Sequence, residues 1–317
     1  MQLNAITRKA ALPAIILLVV ILIAATLRYS LSPFEVELAD SAFRGRTISL
    51  VLATFLFLCC GIVEGKMLPR SGLSKGYCTL PMPLYGVLAC GIFVAPHTLA
   101  AATASFCFAL ALHLLLRSLH NADEKDSVFF ASMLLGTMVL LSPPTIVLVA
   151  TIPIAVFVLA LSLRQAVLMA VGYLLPLLDA SYIVWYKGGK IFDFGRNLYS
   201  ALALPQLSEV EGTPYLAILL VAAIIAVLLY GVIYAAIRPD KMFLLSRIRR
   251  ALRLFIWVSL LSLTMILLPG CDLAACAIIA VPTAILLSFV LSILPNNIST
   301  IAYWVMLAIF VAHLFVA

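Results

Sequence analysis

Tyr215 to Ile237 reads YLAILLVAAIIAVLLYGVIYAAI, 23 residues without a charge or a proline. As an α-helix it is long enough to cross a hydrocarbon core of about 30 Å, which takes about 20 residues. No water reaches the backbone there, so each N–H must be paired inside its own segment or inside a closed barrel. A barrel strand needs only about 9 to 11 residues and alternates in polarity. This stretch is far longer and apolar on every side, so it is read as a transmembrane helix.

The rest of the chain repeats the pattern. Of its 317 residues 65% are apolar and only 10% are charged, too few charges to cover the exterior of a water-soluble domain. Apolar runs lie near residues 11–27, 47–63, 80–95, 97–116, 128–142, 144–163, 165–186, 215–237, 254–268, 273–294 and 299–316. The expectation is an all-α polytopic transmembrane bundle of about eleven helices, forming a single integral membrane domain over residues 1–317.

The basic residues give this bundle a direction, because Lys and Arg in short loops stay on the cytoplasmic side. With Arg8 and Lys9 inside, fourteen of the twenty cations fall on that face. The six on the other face are Arg28, Arg44, Arg46, Lys187, Lys190 and Arg196. The expected topology is N-terminus in and C-terminus out, in a bacterial inner (cytoplasmic) membrane. The net charge of +7 is then a topology signal, with no nucleic-acid partner implied. The first run, basic at its start and apolar at its centre, reads as an uncleaved anchor rather than a secretory signal. Five of the seven cysteines (Cys59, Cys60, Cys90, Cys107 and Cys276) lie in apolar runs as small packing residues, and no CxxC or Cys/His cluster suggests a metal.

One regularity crosses the apolar background. Pro96-His97-Thr98 is followed by Arg117, and Pro143-Pro144-Thr145 by Arg164, with a constant offset of 47 residues. This reads as a duplicated helical hairpin near 80–117 and 128–164, with proline opening each helix and arginine closing it. Both copies run the same way, unlike the inverted repeats of many secondary transporters.

Three hydrophilic segments break the pattern: 28–46, 187–213 and 238–253. The first, expected on the outer face, carries Glu35, Glu37 and Asp40. Such acids can serve as a general base or as ligands for a divalent cation that holds a lipid diphosphate. Local structure explains part of the set: Ser32, Pro33 and Glu35 match a capping box, and Asp40 pairs with Arg44 at four residues' spacing. Glu37 is left without a structural role. Asp179 is read as the only acid well inside an apolar run, where a carboxylate costs about 2.5 to 3.5 kcal/mol on the insertion scale. In the second segment Lys190 and Arg196 lie among Phe192, Phe194 and Tyr199, a mixture that can hold phosphate and sugar and that also makes an ordinary interfacial belt. His97, His113 and His313 lack metal spacing and read as packing or interfacial residues. The third segment reads as an amphipathic stretch on anionic lipid.

Leu80-Pro81-Met82-Pro83-Leu84-Tyr85, the Pro96-led helix, Leu141-Ser142-Pro143-Pro144 and Gly172-Tyr173-Leu174-Leu175-Pro176 together resemble a family of uncharacterised multi-pass membrane proteins of Bacteroidota, over most of residues 10–240. That likeness implies no activity. More distantly the chain is similar to the GT-C membrane glycosyltransferases, with their cytoplasmic N-terminus, many helices and acidic first outer loop. By position that similarity nominates Glu35, Glu37 and Asp40 as catalytic, although this loop has no adjacent acidic pair and no large periplasmic domain follows. The leading expectation is a GT-C-like enzyme acting on a polyprenyl-phosphate-linked glycan or lipid of the cell envelope at the outer face, with Lys190, Arg196 and Asp179 near the substrate. The alternatives are a transporter or flippase coupled through Asp179, and a non-catalytic membrane subunit or scaffold.

Overall fold

The structure, a computed structural model, describes residues 11–31, 46–73, 79–92, 99–119, 125–190, 192–203, 222–230, 233, 246–265 and 273–316. Every regular element among them is helical. We number the helices α1 Ala11–Leu31, α2 Arg46–Arg70, α3 Pro81–Val87, α4 Leu99–Ser118, α5 Lys125–Leu141, α6 Thr151–Leu159, α7 Leu163–Tyr186 and α8 Asp193–Ala203. They are followed by α9 over 222–230, α10 Ser246–Thr264, α11 Leu273–Ile293 and α12 Asn296–Val316. Among the described residues three helices are long and apolar enough to cross a membrane, over Ile48–Arg70, Leu99–Ser118 and Leu163–Tyr186.

Each of the eleven apolar runs contains a helix, and the differences have local causes. Helix α2 does not stop at residue 63 but continues to Arg70. Lys66 and Arg70 reach outward from it while Glu64, Met67 and Leu68 turn inward, so the charges do not end the helix. At Pro143–Ala150 the chain takes a 3-10 form before α6 begins. The proline pair removes two amide donors, and the Thr145 hydroxyl donates back to the Ser142 carbonyl at 2.7 Å. The other arm of the 47-residue repeat, Leu99–Ser118, is a continuous α-helix. Ala160 ends α6 in the left-handed region (φ 54°), where Arg250 of α10 donates to the Leu159 carbonyl at 3.4 Å, a cation on a helix C-terminus. Ser162 and Gln165 then open α7 with a reciprocal capping box.

The interior is built from α2, α3, α4 and α11, with α1 and α10 packed around them. All seven residues of α3 are buried, and Pro81 and Pro83 occupy its first turn, where the missing amides cost nothing. Helices α5 and α7 form a second, closely packed pair on the flank of α4. Their axes approach because Gly136 and Gly172 face each other's backbone: a Cβ on Gly172 would lie 2.7 Å from the Phe129 carbonyl oxygen, and one on Gly136 would overlap the Tyr173 carbonyl. Small residues at such a contact let two helix backbones approach closely.

Only one face of α7 is packed. Gln165, Met169, Gly172, Tyr173 and Pro176 are buried, while Leu163, Val167, Val171, Leu174, Leu178 and Tyr182 form an exposed stripe at helical spacing.

Candidate functional site

Three groupings of side chains stand out, and all three include residues of α2. The first is a groove between α1 and the N-terminal half of α2. It is open, holds about 350 Å³ and is walled by Val19, Leu22, Ile23, Val51, Phe55 and Leu58. Its only polar members are Thr26 and Thr54, whose hydroxyls meet at 3.2 Å. Each also lies within hydrogen-bonding distance of the carbonyl one turn back on its own helix, Leu22 at 2.6 Å and Leu50 at 2.8 Å. The groove therefore presents hydrocarbon to whatever fills it. The segment that links its two walls is 32–45, which contains Glu35, Glu37 and Asp40.

The second grouping lies deeper, in the C-terminal half of the same helix. Glu64, Cys60 and, across the interface, Tyr85 of α3 and Ser105 of α4 are all 0% exposed. The Cys60 thiol faces Glu64 Oε1 at 3.8 Å and the Ser105 carbonyl at 3.6 Å. The Tyr85 hydroxyl donates to Ser105 Oγ at 3.2 Å, and Ser105 Oγ donates to the Ala102 carbonyl at 3.0 Å. Glu64 Oε2 has no hydrogen-bond partner among the described residues. Close packing seals the chamber: a Cβ on Gly61 would lie 2.6 Å from the Leu18 side chain, and one on Gly65 would lie 2.8 Å from Met82 Cγ. Among the described residues a carboxylate here would have one thiol, a weak donor, as its solvation. An ion in that position costs several kcal/mol, on the order of what removes it from any ordinary core.

The third grouping is cationic. Lys66 and Arg70 stand one turn apart near the end of α2, and His113 and Arg117 one turn apart near the end of α4. Arg70 Nη1 and His113 Nε2 are 2.6 Å apart. A guanidinium can only donate, so Nε2 is the acceptor, and in the neutral ring the proton sits on Nδ1. That nitrogen is buried without a partner among the described residues. The charges acting on His113 are those of Arg70, Lys66 and Arg117, all of one sign.

Of the residues nominated from sequence, Glu35, Glu37 and Asp40 lie outside the described residues, as does His97. Asp179, Lys190 and Arg196 are described, and all three are exposed. Asp179 follows Leu178 at the edge of the exposed stripe of α7. The Lys190 amide donates to Asp193 Oδ2 at 2.7 Å, which ties the first residue of α8 to the turn before it. No group of three or more His, Cys, Asp or Glu side chains is placed to hold a metal among the described residues.

Asp179 is not the only acid inside a long apolar helix, because Glu64 lies within α2 and is fully buried. Sequence reasoning missed Glu64 by ending the run at residue 63. The signal was present in Cys60-Gly61-x-x-Glu64-Gly65: two small residues four apart mark a packed helix face, and Cys60 and Glu64 at the same interval lie beside it. No family model, no curated protein and no solved structure matches the chain.

Proposed function

We propose that this chain is a multi-pass protein of the bacterial inner membrane that works on a lipid-linked substrate at the outer face, in the manner of a GT-C-type glycosyltransferase. Side chains such as Leu163 and Phe157, each 85% exposed, are costly in water and at home among acyl chains. The observation that carries the lipid reading is the groove between α1 and α2. It is apolar and open, and its walls are joined by the segment of sequence that bears the acids. A polyprenyl chain laid in it can direct its phosphate end toward Leu31 and Arg46, the helix ends that the segment 32–45 joins. Glu37 or Asp40 then acts as the base that takes the proton of the accepting hydroxyl. Together with Glu35 they are hard oxygen donors of the kind that hold a divalent cation against a diphosphate. The likeness to the Bacteroidota family and to the GT-C enzymes belongs to the same proposal.

A photo-crosslinking residue at Val51 or Phe55 tests it, with Phe157 as a control on the apolar exterior. Polyprenyl-phosphate adducts enriched at 51 and 55 over 157 are the expected result, and equal lipid profiles at all three positions refute the groove as a substrate site. In cells, Glu37→Gln with Asp40→Asn removes the activity at unchanged membrane level; an undiminished phenotype removes the acids from the chemistry.

One observation favours a second reading, a transporter or flippase. Its coupling group is then Glu64, the acid enclosed by the bundle, rather than the exposed Asp179.

A further inference from the structure

Buried carboxyl groups that serve structure are satisfied: they accept several hydrogen bonds or pair with a cation, because an unsatisfied one costs more than the interactions that hold it. Glu64 meets neither condition. One oxygen has a thiol at 3.8 Å and the other has no partner among the described residues. An apolar side chain of similar volume would fill the chamber with less free energy lost. The structure therefore retains an ionisable group where an apolar side chain would be the better filler.

The occupant of the site follows from its ligands. Calcium and magnesium ask for about six oxygen ligands and zinc for about four ligands rich in Cys or His, and this chamber offers one carboxyl group, one thiol, one tyrosine hydroxyl and one serine hydroxyl already committed to a carbonyl. A proton asks for one oxygen. The groups that face Glu64 are Cys60 on its own helix, Tyr85 from α3 and Ser105 from α4. From α1 and α11, which also pack on α2, no titratable side chain among the described residues acts on it. The neutral acid is thus the form that the chamber accommodates. Six residues further along α2, about 9 Å of helix rise, the charged end with Arg70 begins, and it is the short way out.

We propose that Glu64 is a proton-binding site inside the helix bundle, loaded and emptied through the end of α2 that carries Lys66 and Arg70. Loading forms one O–H bond on the carboxylate at the expense of water, and emptying returns that proton to water. The carboxylate left behind has no fixed partner in this arrangement, so emptying is linked to a rearrangement of α2 against α3 and α4 that brings a donor or water to it. This goes beyond the lipid reading and does not depend on it: a chain whose groove holds no polyprenyl lipid still loads Glu64.

The test uses the full chain in lipid nanodiscs. Dicyclohexylcarbodiimide adds across the neutral acid and leaves an N-acylurea on the residue, which peptide mass spectrometry locates. Labelling of Glu64 is expected at low pH, falling about tenfold per pH unit once the group empties. In difference infrared spectra the carbonyl band of a neutral acid gives way to carboxylate bands over the same interval, reversibly, and is absent from Glu64→Gln. Two results overturn the proposal. One is a neutral-acid band that persists at every pH at which the protein stays monodisperse, which makes Glu64 a fixed hydrogen-bond donor. The other is carboxylate alone throughout, which makes it an ion-pair member. The labelling and the pH series need only the unaltered protein, so a Gln variant that fails to fold leaves the test decisive.

Discussion

Glu64 and Asp179 are both acids within long apolar helices, and the structure gives them opposite surroundings. Glu64 is enclosed by four helices, with glycines on its own helix letting the neighbours close over it. Asp179 rides on a helix packed along one face only, beside the exposed stripe that includes Leu178. Depth along a helix is therefore the weaker indicator of burial, and the identity of residues three and four positions away is the stronger one. An acid among glycines that other helices contact is interior. An acid beside a row of large exposed aliphatics can reach the interface, seven residues or about 10 Å of rise from the end of its helix.

The sharpest way to break the comparison is to put a lysine at both places. Glu64→Lys buries an unpaired ammonium among Cys60, Tyr85 and Ser105, a change on the order of 3–5 kcal/mol. Little monodisperse protein should then be recovered from detergent extracts. Asp179→Lys should give the wild-type elution profile and thermal midpoint. Equal behaviour of the two variants would mean that α2 does not sit inside the bundle.

The hold on α7 is tested next. Gly136→Leu drives a side chain against the Tyr173 carbonyl and the Pro176 ring, and backbone yields less readily than a flexible side chain. A loss of about 1–3 kcal/mol is expected from overpacking of this kind, read as a lowered thermal midpoint. The matching change at Gly61 meets a leucine side chain that can turn away, so Gly61→Ala should be milder than Gly136→Ala.

A smaller effect is expected at the joined ends of α2 and α4. His113→Phe removes the acceptor of the Arg70 guanidinium and leaves three like charges gathered. The hydrogen bond is worth about 1 kcal/mol or less at a partly exposed site, and the loss should shrink further in high salt as the repulsion is screened. A midpoint independent of salt would show that the cations at this end do not sense one another. Thr26→Val with Thr54→Val removes the hydroxyl contact at the groove and should cost about 0.6 kcal/mol, the average for side-chain hydrogen bonds between apolar helices.

The helices were legible because their cause is local. A run of about twenty apolar residues has few other ways to satisfy its backbone away from water, and each of the eleven runs holds a helix among the described residues. Boundaries were less legible where charge and burial disagree. Hydropathy falls at Glu64 and Lys66, yet α2 continues because one side chain turns in and the other out. Helix α8, with Phe194, Leu198, Ala201 and Leu202 at helical spacing, lies in the hydrophilic segment 187–213 and is too short and too polar to count as a span. The candidate sites were least legible. Glu64 and Tyr85 are 21 residues apart with a turn between them, and Cys60 and Ser105 are 45 apart. Only the packing of α2, α3 and α4 brings them together, and no local pattern encodes that meeting. Lys190 and Arg196 were found as cations beside aromatics, which is a property of composition and holds whether or not they share a site.

The smallest effect is expected at Asp179→Asn, and its smallness is informative. Sequence alone assigns this residue the cost of a carboxylate in hydrocarbon, so neutralising it should stabilise the protein noticeably. The structure has it exposed on the edge of α7, beside the stripe that includes Leu178. Its neutralisation should then leave the thermal midpoint within error of the wild type, whereas Glu64→Gln should flatten any pH dependence between the two ends of the carboxylate titration. A clear stabilisation by Asp179→Asn would mean that a helix of a second molecule covers the stripe from Leu163 to Tyr182. The apolar face of α7 would then be a contact between protein chains rather than a surface left to lipid.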